Sequence, residues 1–462
     1  MQRAVKVAAL TGILLLAWSA LFAQTFRYPF YWDDLHLIRP YTGTEIGSAF
    51  HALADPDKIE TPGLRPCSIL LFNFQGSTFG ENIVAHHTFM VLLMGIFMIA
   101  AGMLLLEVGL SFVQLATAFI LFVSSRVFAS IVLWISLSHL LLAYICITLT
   151  AYCFILWTKK GRWFLFVLML MSCTLATFTR EETYTLPVVL PVLWLISSFD
   201  IGQWRRVAIA ALSLFAIVSC HYALWHFLVP NALSPKFTLG AIKRFLGAMA
   251  SAWLPGGSRW VGVTDKLIAV IWITFVAAVV ICFLRYANRR MRWQFVGVCC
   301  LGAFLSLPAL GVGRPFGIAL PTIAFMTAVS ITVWGIYGKV QTRPDLRQWQ
   351  RYALVGTMVL GLVIGIASGI RRSFFVAESL RQNCAVTILR DGDFLFDLLD
   401  HPATIPEQRR KAGLARLEEL GIGSTGDLHR LRRDLQKDPV TYQQNRETGN
   451  GIFLPKYDYL SF

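Results

Sequence analysis

The sequence predicts an all-α polytopic membrane protein, and three observations carry that prediction. Of its 462 residues, 56% are hydrophobic and only 15% are charged, where a soluble chain carries about 25% charged residues. The apolar residues are gathered into runs, many long enough for the roughly 20 residues of helix that cross a hydrocarbon core. These runs are continuous and rich in Leu, Ile, Val and Phe, without the alternation of a barrel strand. Since lipid accepts only helices and closed barrels, helices follow.

The first run, Val5 to Ala23, follows Arg3 and Lys6, which hold the amino end inside. Leu21 and Ala23 make a poor small-x-small cleavage site, so it is read as an uncleaved first helix. Further runs cover Val84–Leu106, Leu110–Val123, Ile131–Trp157, Trp163–Phe178, Tyr184–Ser198, Val207–Leu228, Leu267–Leu284, Phe295–Leu310, Phe316–Tyr337 and Ala353–Ile370, giving about eleven spans. With the amino end inside, the inward connections carry Lys159, Lys160 and Arg162, then Arg205 and Arg206. Next come Arg285, Arg289, Arg290 and Arg292, and last Lys339, Arg343, Arg347 and Arg351. Positive charge inside agrees with this count. Arg371 and Arg372, beyond the last run, do not: either the count is off by one or they serve the outer surface.

Residues 1–370 thus form the membrane domain. Its long outer segments are Gln24 to Ile83 (residues 24–83) and Val229 to Lys266 (residues 229–266), the second containing an expected interfacial helix over Leu239–Trp253. Residues 371–462 form a small C-terminal extramembrane domain. Within it a helix opens at Pro406 and closes before Gly421.

The formal net charge of +15 does not point to nucleic acid. The basic residues lie in short clusters between spans or in the tail, so membrane lipids or an anionic lipid substrate are the expected counter-charges. Nine cysteines show no metal-like spacing, and most lie inside apolar runs as small hydrophobes.

Chemistry concentrates at the predicted outer ends of helices. Tyr31-Trp32-Asp33-Asp34 places two adjacent carboxylates near the bilayer surface, where charge is costly unless solvated or paired. The plain alternative is a solvated turn after an aromatic belt. Downstream come Leu64-Arg65-Pro66-Cys67, then His86 and His87 at the second span and Trp134-Ile135-Ser136 before Leu140. Arg180-Glu181-Glu182 precedes Leu186-Pro187, and Gly313-Arg314-Pro315-Phe316 precedes Leu320-Pro321.

In that order, these motifs resemble the GT-C type glycosyltransferases that use polyprenyl- or dolichyl-phosphate-linked sugars. The nearest likeness is to the transmembrane O-mannosyltransferases that carry tetratricopeptide repeats. That branch has an Asp-Asp pair in its first outer loop, Tyr-Arg-Pro-Leu before the second span and Trp-Ile-Ser before the fourth. It continues with Lys-Glu and Leu-Pro at the sixth and Arg-Tyr-Leu-Tyr-Leu-Pro near the end. The likeness covers roughly residues 5–370. Ser125-Arg126 and Ser130 stand where the family has His-Pro and Glu, Arg180 replaces a lysine, and the tail lacks a repeat of about 34 residues.

The resemblance implies a GT-C-like fold and inverting transfer of a sugar from a polyprenyl-phosphate donor to a hydroxyl acceptor, whether on protein, lipid or polysaccharide. Asp34 or Asp33 would be the general base, with Asp34 preferred. Arg65, Arg180 and Arg314 would hold the donor phosphate, which suits forked guanidinium contacts; snorkelling to head groups is the alternative for each. Glu181, Glu182 and His86 would orient acceptor or arginine. No cofactor is required, although a divalent cation bridging carboxylate and phosphate is compatible. A bacterial inner membrane with a periplasmic active face is expected. The alternatives are a lipid or anion transporter or flippase, against which ionisable residues at helix ends and missing half-chain symmetry argue, and a non-catalytic GT-C relative.

Overall fold

The computed structural model describes residues 2–27, 34–51, 64–80, 82–197, 200–228, 289–312, 319–342 and 347–390, with isolated positions between 270 and 285 and between 398 and 427. Among the described residues every regular element is helical. The segment after α1 (Gln2–Leu21) holds the short helices α2 (Asp34–Leu37) and α3 (Gly43–Ala49), then α4 (Pro66–Phe79). The bundle continues with α5 (Ile83–Glu107), α6 (Phe112–Ser124), α7 (Arg126–Leu133), α8 (Ser138–Lys160), α9 (Trp163–Thr177), α10 (Leu186–Ser197) and α11 (Trp204–Leu228). Its last described helices are α12 (Arg289–Val312), α13 (Ala319–Thr342) and α14 (Gln348–Arg390).

Among the described residues six helical stretches are long and apolar enough to cross a membrane, namely Gln2–Leu21, Ile83–Glu107, Ile135–Lys160, Trp204–Leu228, Ala319–Thr342 and Gln348–Phe374. The protein is therefore a helical membrane protein. The expected fourth run, Ile131–Trp157, is interrupted at Trp134, whose extended backbone separates α7 from the turn that starts α8. The expected third run ends in a bend of 62° between α6 and α7. Ser125 makes that bend with one hydroxyl, donating to the Phe122 carbonyl at 2.6 Å while accepting from the Phe128 N–H at 3.3 Å. It closes one helix and caps the next, an N-cap role that serine fills well. The runs expected at Trp163–Phe178 and Tyr184–Ser198 give helices of 15 and 12 residues. Pro191 lies inside the second of these.

α8 and α13 are the interior of the bundle, 78% and 83% buried over their apolar windows, whereas α14 is 11% buried and faces outward. Threonine and serine knit the interior together. The Ser330 hydroxyl donates to the Gln114 carbonyl at 2.6 Å and the Trp334 indole to Thr117 at 2.9 Å, fastening α13 to α6. Such interhelical bonds in lipid contribute about 0.6 kcal/mol each on average. Glycines on α5 admit α1 closely: a β-carbon on Gly102 would press on Val7 and Phe119, and one on Gly95 would meet Leu15.

The two ends of α8 are chemically distinct. At its C-terminal end Lys159 pairs with Glu107 at the end of α5 (2.9 Å), and Arg206 at the start of α11 donates to the Thr158 carbonyl (2.8 Å). Its 23 residues place the N-terminal end, and the polar cluster described below, about 34 Å away. Phe374 of α14 packs on Phe22 at the opposite end of α1 from the amino terminus (centroids 4.5 Å). Arg371 and Arg372 therefore stand level with the end of α1. α14 does not stop at Ile370 but continues to Arg390, so the membrane domain and the tail share one helix. The expected interfacial helix Leu239–Trp253 lies outside the described residues, as does the Pro406–Leu420 helix apart from isolated positions.

The bundle makes a labelling prediction. In a cysteine-free background, Ser77→Cys on α4 and Arg162→Cys beyond α8 should react with a membrane-impermeant maleimide from opposite sides of a sealed vesicle. Reaction of both from one side would contradict the arrangement.

Candidate functional site

Four segments meet where the N-terminal end of α8 and the C-terminal end of α9 adjoin α4. Asp34 opens α2 and is 1% exposed. Its Oδ1 accepts the Ser136 backbone N–H at 2.6 Å. That donor is available because the chain breaks at Trp134, and the first N–H groups after a break have no intrahelical acceptor. The Ser136 carbonyl in turn accepts from His139 Nδ1, and His139 Nε2 accepts from Arg180 Nη1 at 2.8 Å. Two bonded residues thus join the carboxylate of the first outer segment to a guanidinium at the end of α9.

Arg180 follows α9 in extended backbone (φ −156°, ψ 148°) and meets Glu182 through Nη2 at 2.7 Å and Nε at 3.0 Å. Arg65 immediately precedes Pro66, a position that proline pushes out of helical backbone. Its Nε and Nη2 meet the two oxygens of Glu181 at 2.8 and 2.9 Å. α4 is fastened beside them by the Cys67 N–H on the Phe178 carbonyl (3.2 Å) and the Ser68 hydroxyl on the Thr179 carbonyl (2.9 Å). α11 adds His221, whose Nε2 donates to the Leu64 carbonyl (3.0 Å) and whose Nδ1 accepts from the Tyr184 hydroxyl (2.7 Å). Ala319, the first residue of α13, and Tyr144 of α8 are buried in the same core.

The electrostatics follow from these pairs. Burial pushes the Glu181 carboxyl up, but the Arg65 charge and its N–H donors, with Arg180 behind them, outweigh it and bring it down to about 2. Burial, then the Glu181 charge, pushes the Tyr184 phenol up, so it stays a hydroxyl donor. Each carboxylate takes one edge of its guanidinium, leaving the five-donor fork oriented rather than loose.

Of the residues singled out by sequence, Asp34, Arg65, Arg180, Glu181 and Glu182 come together here. Glu181 and Glu182 orient arginines, but divide them: Glu182 takes its neighbour Arg180, and Glu181 reaches across to Arg65. His86 is buried at the start of α5, where Nε2 donates to the Gly80 carbonyl (2.9 Å) beside Phe79. These contacts belong to the α4–α5 turn, not to the cluster. Asp33 and Arg314 lie outside the described residues. Sequence reasoning missed His139, Tyr184 and His221. A histidine three residues after Trp-Ile-Ser, at a helix start, was the available signal for the first.

Ser125 and Arg126, the departures from the family pattern, form the α6–α7 bend, and the buried Arg126 feels the repulsion of Arg372. Among the described residues no three His, Cys, Asp or Glu side chains converge, so these residues do not supply a divalent-cation cage. Comparison with family models and with curated proteins returns no match for this sequence.

Glu181→Gln should uncouple α4 from the α9–α10 junction. Because the folded carboxyl titrates near 2, below its ordinary 4.5, its contribution is complete above about pH 4.5 and is lost as pH falls towards 2. That contribution is at most about 3 to 4 kcal/mol. The wild-type melting temperature in detergent should therefore fall more steeply between pH 5 and pH 3 than that of the variant. Parallel curves would show that the pair adds nothing.

Proposed function

We propose that this protein is an integral membrane glycosyltransferase of GT-C type, with about eleven spans. On this reading it moves a sugar from a polyprenyl-phosphate donor to a hydroxyl acceptor at the outer surface of a bacterial inner membrane. The observation that carries the reading is the bonded connection from Asp34 through Ser136 and His139 to Arg180, beside the Arg65–Glu181 pair. The ordered motifs of the sequence support it, because five of the residues they single out are neighbours in the fold.

The chemistry is a single displacement. Asp34 accepts the proton of the acceptor hydroxyl as its oxygen attacks the anomeric carbon, the bond to the donor phosphate breaks, and the configuration inverts. The Ser136 N–H holds the Asp34 carboxylate in place through one oxygen. Arg65 and Arg180 stabilise the negative charge that grows on the leaving phosphate, as preorganised donors do in a site of low dielectric. A donor whose sugar is polar and whose tail is isoprenoid is met only at the bilayer surface, and this cluster stands at the ends of helices. The same placement at helix ends, rather than at mid-depth, disfavours the transporter alternative.

Asp34→Asn should reduce transfer by at least about 100-fold, the low end for loss of a general base, while insertion into the membrane is unchanged. Transfer at the wild-type rate would remove Asp34 as the base. Arg65→Ala should raise the donor concentration needed for half-maximal transfer by about tenfold, the worth of one charge-assisted hydrogen bond. Unchanged donor dependence would leave Arg65 as the ion-pair partner of Glu181 and remove it from donor binding.

A further inference from the structure

We infer that His139 is a positioning residue, held as a neutral imidazole with its proton on Nδ1, which sets the Arg180 guanidinium against the Asp34–Ser136 turn. It touches neither donor nor acceptor in the proposed reaction. Its tautomer follows from its partners. A backbone carbonyl can only accept, so the nitrogen facing the Ser136 carbonyl, Nδ1, carries the hydrogen. A guanidinium can only donate, so the nitrogen 2.8 Å from Arg180 Nη1, Nε2, carries the lone pair. An imidazolium would present N–H to N–H at that contact, and a proton moved to Nε2 would break both bonds at once.

The surroundings hold the ring in that orientation. His139 is 5% exposed, and Phe72 of α4 packs edge-on against it (centroids 5.2 Å, 74°). One residue earlier, the Ser138 hydroxyl donates to Gln75 of α4 at 2.7 Å, so α4 and α8 are joined on both sides of the ring. His221 provides an internal contrast. It donates from Nε2 to the Leu64 carbonyl and accepts at Nδ1 from Tyr184, which fixes the opposite tautomer. The second hydrogen bond of each ring decides which nitrogen is protonated, and the two arginines are steadied by two histidines of opposite hand. His221 bonds the backbone beside Arg65, whereas His139 bonds the Arg180 side chain itself.

The consequence is that Arg180 and Asp34 are placed as one unit. Arg180 is held from two directions, by Glu182 on the Nε–Nη2 edge and by His139 at Nη1. Without the imidazole acceptor, Arg180 loses the bond that ties its Nη1 to α8. A donor phosphate would then meet a guanidinium no longer set against the Asp34–Ser136 turn.

The test uses the full chain in nanodiscs, with histidine labelled by 15N. The ring signals lost in His139→Gln should be those of a neutral Nδ1–H tautomer, and those lost in His221→Gln should be of the Nε2–H form. An Nε2–H or imidazolium pattern for His139 at neutral pH overturns the inference. Titration with undecaprenyl phosphate as probe then tests the positioning role, which rests on the transferase reading. Gln can keep an oxygen near Nε2 for Arg180, while Asn can keep only the donor near Nδ1. His139→Gln should bind the probe within about threefold of wild type and His139→Asn about tenfold more weakly, one charge-assisted hydrogen bond apart. Equal binding by both variants overturns the positioning role. Failure of the wild type to bind, with the Nδ1–H signals present, instead overturns the transferase reading and leaves the tautomer assignment standing.

Discussion

A buried carboxylate needs donors, and the bond from the Ser136 amide to Asp34 is the constraint on which this end of the bundle is organised. Removing a charge from water without compensation costs several kcal/mol, more than any one helix contact returns. The compensation is made by backbone, and backbone can donate there only because the helix is interrupted. The extended conformation of Trp134 stops α7, and the restart at Ile135 leaves the following amide unspent. What looks in sequence like one long hydrophobic span is broken where a polar ligand for Asp34 is required. The Ser136 carbonyl in turn holds the His139 ring, whose other nitrogen meets Arg180, so one interruption serves both signs of charge.

The arginines are treated by the same rule. Neither Arg65 nor Arg180 sits alone in apolar surroundings; each is forked against a carboxylate, 21% exposed in one pair and 11–15% in the other. Pairs this enclosed do little for stability compared with a hydrophobic replacement, yet losing one partner is costly because the other is stranded. Their value lies in orientation. Crossing the pairs, with Glu182 on its own neighbour and Glu181 on a residue 116 positions away, ties the first outer segment to the α9–α10 junction. A motif Arg-Glu-Glu accomplishes this because the short 3-10 turn Glu181–Thr185 points successive carboxylates in different directions.

The sequence made the membrane class legible because hydropathy is a property of composition, and the bilayer turns composition directly into length. It also made much of the candidate site legible, since Asp34, Arg65, Arg180, Glu181 and Glu182 are polar residues at the ends of apolar runs. The breaks were harder to see. Ser125 and Trp134 interrupt helices by local hydrogen bonding and backbone conformation, and a hydropathy window averages across both. The continuation of α14 past Arg371 was hidden for a related reason, since a helix that leaves the membrane changes composition without changing its backbone. His139 escaped because a single histidine in a buried helix has no periodicity to betray it; only its partners, brought from 41 residues away, give it a role.

The stretch that departs from the resembled motifs, Ser125-Arg126 and Ser130, is used in this chain to turn the backbone. Ser125 caps the bend, and Arg126 faces the α14 side, where Arg372 approaches. The polar cluster begins after the bend, at Ser136, and draws its second acid and its histidine from elsewhere, Glu182 and His139. A polar cluster assembled from helix ends tolerates such relocation, because what must be preserved is a set of donors and acceptors at one end of the bundle, and several helices end there.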